Sequence, residues 1–145
     1  MSSTYSQLHF HAVFAVKDRL QAINSSVQER LHQYIAGIIR NKNGTIHEIG
    51  GVQDHLHLLF SLPPSLNVSD LIRFIKTNSS KWLRENFPEM ACFAWQSGYS
   101  VFSVSHSNLG IVSRYINNQE EHHRNISFQD ELNAILIKHN IIVRQ

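Results

Sequence analysis

A chain of 145 residues, 42% hydrophobic and 17% charged, has the length and make-up of one globular domain, 1–145, and neither a disordered nor a fibrous class fits it. Its formal charge of +2 permits a nucleic-acid partner without demanding one. The single cysteine, Cys92, excludes an internal disulfide and a cysteine-based zinc site, and the chain shows no leader pattern and no membrane-length apolar run, so a cytoplasmic protein with no membrane partner is expected.

"LHFHAVFAV", residues 8–16, puts Leu8, Phe10, Ala12, Phe14 and Val16 on one face at a period of two and predicts a strand. "NSSVQERLHQYIAGIIRNKNG" predicts a helix, with Val27, Leu31, Ile35, Ile38 and Ile39 at helical spacing. Ser26 and Glu29 fit a capping box, and Gly44 a stop. "TIHEIGGVQDHLHLLFSL" predicts two strands hinged at Gly50-Gly51. After Pro63-Pro64, "NVSDLIRFIKTNSSKWLRENFP" predicts a second helix with Leu71, Ile72, Ile75, Ser79, Trp82 and Leu83 inward and Pro88 past its end. "QSGYSVFSVSHS" predicts another strand and "NLGIVSRYINNQEEHHR" a third helix; a short helical tail ends in "IIVRQ". The order β-α-β-β-α-β-α predicts an α+β fold: a ferredoxin-like, split β-α-β antiparallel sheet with helices on one face. Strands one and three are then central neighbours, and the other face of the sheet is open to a ligand.

In "DHLHLLF", strand alternation puts His55 and His57 on one face, with Cα atoms about 6.7 Å apart, and Leu56, Leu58 and Phe60 on the other. Both imidazoles could reach one ion. By this spacing alone, two histidines on a solvated strand face fit as well. His9 and His11 form a second same-face pair that competes for any metal role. On the third helix, Tyr115 and Gln119 lie four apart and so side by side. Spacing alone favours a core-edge tyrosine and a solvated glutamine. Together, two imidazoles and an amide oxygen make a three-ligand set with open positions, suited to a divalent ion that also holds an anion.

"QDHLHLLFSLPP" followed by "RYINNQ" resembles the HUH single-tyrosine transposases of small bacterial insertion sequences, the IS200-like family. "FHAVFAVKDR", "SDLIRFIKTNSSKWLRENFP" and "WQSGYSVFSVS" resemble that family's first strand, second helix and last core strand, in order, over roughly residues 5 to 125. The resemblance implies that His55, His57 and Gln119 hold a divalent metal, Mg2+ or Mn2+, and that Tyr115, on a helix in the C-terminal part, is the nucleophile. It implies a DNA transposase that cleaves single-stranded DNA at element ends, leaving a 5′-phosphotyrosine and a free 3′-hydroxyl that later rejoins strands. Hairpin-bearing single-stranded DNA is the implied partner. A homodimer is implied too, with Tyr115 and Gln119 completing the partner's histidine site in trans.

Lys17, Arg19, Arg73, Lys76, Lys81 and Arg84 are the candidate DNA-binding residues, although a solvated surface is the commoner reason for each one. His122 and His123 are expected at the surface. Two alternatives remain at this stage: a non-catalytic nucleic-acid-binding module on the same β-α-β-β-α-β plan, and a relaxase or replication-initiator nickase. The first lacks an RNP-type aromatic motif here, and the second fits poorly with so short a chain and a single tyrosine.

Overall fold

The computed structural model describes residues 2–143. Four strands, β1 (His9–Ala15), β2 (Thr45–Val52), β3 (His55–Ser61) and β4 (Ser100–Val104), form one antiparallel sheet in the order β2-β3-β1-β4. The first and third strands are therefore central, as the split β-α-β pattern requires. Helices α1 (Ser25–Asn41) and α2 (Val68–Asn86) cover one face. Their buried stripes, Val27-Leu31-Ile35-Ile39 and Leu71-Ile72-Ile75-Leu83, meet Ala12, Phe14, Leu56, Leu58 and Phe60 from the sheet. This is the main core. Burying each large aliphatic side chain there stabilises the fold by about 1.5–3 kcal/mol relative to exposure.

Local chemistry moves some predicted boundaries. α1 is capped by Asn24, whose Oδ1 accepts from the N–H groups of Ser26 and Val27, and not by a Ser26–Glu29 box. Its end is turned by Asn43, at φ 65°, one residue before Gly44. α2 is capped by Asn67 and closes at Asn86, just before Pro88. Trp82 lies at the rim and not fully inside, stacked on Tyr34 with ring centroids 4.6 Å apart. Ser79 is buried and accepts from Trp95 Nε1 at 2.9 Å.

Gly50 and Gly51 are not a hinge. β2 runs straight through both, paired with His57 and Leu56, and the reversal falls at Gln53-Asp54. The open sheet face is not found either. α3 (Leu109–Asn117), α4 (Gln119–His122) and α5 (Phe128–Lys138) lie over it. Val13, Ala15 and Phe102 from that face pack with Phe128, Leu132, Ile135 and Leu136 of α5 as a second, smaller core. The predicted third helix is broken at Asn118, so Tyr115 and Gln119 sit on successive helical pieces. Of the predicted helical tail, 139–143 lie beyond the last helix, with Ile142 and Val143 exposed; Arg144 and Gln145 fall outside the described residues. Among the described residues no helix is long and apolar enough to cross a membrane.

Candidate active site

β3 carries four apolar or aromatic residues that would bury it on both faces, yet His55 and His57 interrupt the face turned away from α1 and α2. Both are fully buried. Their neighbours across the ladder are small on one side, Ala15 and Val13, and on the other Val52 and Gly50. Gly50 matters for the site. α3 comes so close that a Cβ added at Gly50 would lie 2.3 Å from the Ile116 carbonyl oxygen. The bare backbone lets the helix seat against the sheet, and the residue before Ile116 is Tyr115.

Tyr115, Gln119, His55 and His57 all come together within one chain. His55 Nε2 lies 3.0 Å from Gln119 Oε1, while its Nδ1 meets Asp54 Oδ1 at 2.7 Å. The Tyr115 and His57 ring centroids are 5.8 Å apart. At the centre is a residue the sequence reading passed over, Glu131 of α5, whose side chain is 1% exposed. Its Oε1 is 3.1 Å from His57 Nε2, 3.3 Å from His55 Nε2 and 3.0 Å from His123 Nε2. Its Oε2 accepts from the Tyr115 hydroxyl and, at 2.7 Å, from Gln119 Nε2. His122 Nε2 stands 3.3 Å from the same oxygen.

His122 and His123 thus line the site instead of facing solvent; the His123 side chain is only 8% exposed. His9 and His11 part company. His11 Nε2 pairs with His57 Nδ1 at 2.8 Å, directly behind the site, whereas His9 binds Ser61 and Gln7 at the far end of the strand. Neither belongs to a metal-holding group among the described residues.

The protonation states follow from these contacts. Burial opposes a charge on His55, but hydrogen bonds to Asp54, Glu131 and Gln119 outweigh it and raise the imidazole to about 9. Burial keeps His57 neutral and, together with the neighbouring His57, holds His11 down at about 3. Burial would lift the Glu131 carboxyl, but hydrogen bonds from His55 and His57 dominate and hold it well below the usual carboxylate range. Burial and the adjacent carboxylate push the Tyr115 phenol above its ordinary value, so it keeps its proton. A carboxylate accepts only, so neutral His57 donates to it from Nε2 and takes the His11 bond at Nδ1.

Two groups among the described residues could hold a metal ion, His55-His57-Glu131 and His122-His123-Glu131, each with ligand atoms within 4.8 Å of one another. Imidazole nitrogens, a carboxylate and an amide oxygen form a donor set that fits a divalent cation.

The six basic candidates differ in their surroundings. Lys17 and Arg19 are exposed on a short turn after β1, and Arg19 donates to Gln129 Oε1 at 2.8 Å beside the site. Arg73 and Lys81 are exposed on α2 and pair with Asp70 and Glu85. Lys76 donates to the carbonyls of Gln96 and Gly98 at 2.6 and 2.7 Å, and Arg84 to that of Phe93 at 3.0 Å. Those last two tether the loop before β4.

Glu131 did leave a trace in the sequence. It shares a helical stripe with Phe128, Leu132 and Ile135, and a carboxylate on an apolar stripe is costly unless it is paired.

The family model described as transposase IS200 like matches residues 4–119, a span that holds His55, His57, Tyr115 and Gln119 but ends before Glu131. The chain is 31% identical over 117 residues to the transposase for insertion sequence element IS200 of Salmonella typhimurium, covering 77% of this chain and 76% of that one. It is 23% identical over 120 residues to the ISDra2 transposase TnpA of Deinococcus radiodurans, covering 79% and 86%. Two solved structures share the fold. One, from Deinococcus radiodurans R1 and assigned as a transposase, superposes with a TM-score of 0.65 at 22% identity over 82% of this chain and 96% of that one. The other is a REP-associated tyrosine transposase bound to a REP hairpin, with a TM-score of 0.63 at 16% identity over 85% and 74%.

Proposed function

Given that the chain belongs to the IS200-like transposase family, we propose that it cleaves and rejoins single-stranded DNA through a 5′-phosphotyrosine on Tyr115. The observation that carries the reading is the convergence of one phenol, two buried imidazoles and an amide oxygen from β3, α3 and α4 of a single chain. A non-catalytic nucleic-acid module has no use for that convergence.

In this reading His55, His57 and Gln119 hold a divalent ion, Mg2+ or Mn2+, which when bound polarises the scissile phosphate and offsets its charge. Asp54 on His55 and His11 on His57 orient the two rings. Tyr115 Oη forms a bond to phosphorus as the bond to O3′ breaks; the electron pair goes to O3′, which leaves as a hydroxyl after taking up a proton. The phenolic proton already has Glu131 Oε2 as its acceptor. Rejoining reverses the step, a 3′-hydroxyl attacking the phosphotyrosine, so the diester energy is conserved.

Chain 1–145 acts as one HUH domain, and its DNA partner carries hairpins of the kind the resemblance implies. Lys17 and Arg19, exposed next to the site, are the proposed phosphate contacts; Arg73 and Lys81, exposed on α2 across the sheet, are proposed to meet a strand that wraps the domain, and Lys76 and Arg84 to serve it through the loop they hold. A homodimer is the proposed working form, each site being complete in cis. The test is incubation with single strands bearing hairpins from the flanks of the gene, with Mg2+ or Mn2+ and with chelator. A denaturant-resistant protein–DNA adduct is expected with the ion and not without it. If Tyr115→Phe still forms the adduct, the nucleophile has been misassigned.

A further inference from the structure

The site just described uses only one oxygen, Oε2, of a fully buried carboxylate. Glu131 is carried by α5, outside the residues that match the family, yet its carboxylate is the point on which every other group at the site converges. Enclosing an anion this completely is expensive, and the surrounding donors repay the cost only if the charge stays where it is. We propose that Glu131 is itself a ligand of the ion through Oε1 and holds the Tyr115 phenol through Oε2, so that one carboxylate fixes the distance between ion and nucleophile. The proposal rests on the reading of the site given above.

The spacing of the donor atoms carries it. An ion with ligands at about 2.0–2.1 Å sets neighbouring ligand atoms about 2.8–3.4 Å apart, from octahedral to tetrahedral geometry. The observed separations are 3.0 Å from His55 Nε2 to Gln119 Oε1, 3.3 Å from His55 Nε2 to Glu131 Oε1 and 3.1 Å from His57 Nε2 to Glu131 Oε1. These lengths match the edges of a coordination polyhedron as well as they match hydrogen bonds. Charge points the same way. Two imidazoles and an amide are a neutral set and a weak holder of Mg2+, which favours anionic oxygen; Glu131 supplies it. The two carboxylate oxygens are also divided in use, Oε1 facing the sheet histidines and Oε2 facing Tyr115 and Gln119. Behind Oε2, His122 Nε2 is buried without a hydrogen-bond partner.

The rival is a carboxylate that merely fills the place of an incoming phosphate. The two differ in sign, since removing the charge weakens ion binding in the first case and leaves or strengthens it in the second. The experiment is a calorimetric titration of the full chain with Mn2+, backed by the Mn2+-dependent rise in melting temperature. Glu131→Gln is expected to lose about ten-fold or more in affinity and most of that rise. Glu131→Asp, which keeps the charge and tests the idea if the glutamine variant does not fold, is expected to fall in between. A folded Glu131→Gln or Glu131→Asp chain that binds Mn2+ as well as or better than wild type, while His57→Ala binds it poorly, overturns the role of Glu131. If His57→Ala also binds normally, the histidine site itself has been misread.

Discussion

Replacing Gly50 with alanine should disconnect the nucleophile from the histidines without touching either. The added methyl would stand 2.3 Å from the Ile116 carbonyl oxygen and 3.0 Å from its carbonyl carbon, both backbone atoms in the turn that carries Tyr115. No side-chain rotation relieves a clash with backbone, so α3 must back away from β2 by about 1 Å or more to restore ordinary contact. Overpacking of this kind costs about 1–3 kcal/mol, equivalent to a fall of about 5 °C in melting temperature for a domain of this size. The chemistry should suffer more than the fold, because a displacement near 1 Å at a reacting centre costs about 100-fold in rate. The assay is single-turnover adduct formation, read beside a thermal melt. Gly37→Ala is the control of opposite sign. Gly37 lies in α1 with nothing within 4 Å of its would-be Cβ, so alanine there should stabilise the protein by about 0.5–1 kcal/mol and leave the rate alone. A Gly50→Ala protein with wild-type rate and melting temperature would refute the close-approach argument.

Three further outcomes follow from the same geometry. His11→Phe keeps the ring but loses the partner of His57 Nδ1, so Mn2+ affinity should fall about 10–100-fold, with His11→Gln falling less; unchanged affinity in both would remove His11 from the site. His32 is held by burial at about 4, with Nε2 unpartnered, against an ordinary 6.5. The unfolded chain therefore takes up a proton that the folded chain refuses as pH drops from 6.5 towards 4. Stability present above pH 6.5 is lost in that window, about 1–2 kcal/mol of it by pH 5, and His32→Leu should flatten that part of the pH–stability curve measured by urea unfolding. An equally steep curve in the variant would contradict the assignment. Finally, mixing Tyr115→Phe with His57→Ala protein should restore no cleavage, since each site is completed by its own chain; recovery of activity in the mixture would show exchange of α3 between copies.

Legibility in the sequence tracked how local each cause was. The alternation of His55, His57 and Leu59 against Leu56, Leu58 and Phe60 fixed the faces of β3, and element order placed that strand at the centre of the sheet. Capping was less legible, because Asn24 and Ser26 both qualify as caps and only the backbone path of the preceding residues chooses between them. Gly50-Gly51 read as a break because glycine inside a strand usually marks one. Its reason is the approach of a helix more than sixty residues later in the chain, which no local pattern reports. The roofing of the histidine face went unread for the same reason. The stripe of Phe128, Leu132 and Ile135 declares that α5 packs on something, and not on what. Glu131, His122 and His123 became site residues only when that long-range docking was in view.

The account turns on which atom becomes joined to DNA. Digesting the adduct with nuclease and trypsin and sequencing the labelled peptide by mass spectrometry asks that directly, because cleavage after Arg114 and Arg124 isolates residues 115–124 with a single tyrosine. A 5′-phosphonucleotide on Tyr115 is the predicted result. The same nucleotide on a histidine, or on any tyrosine elsewhere in the chain, contradicts it.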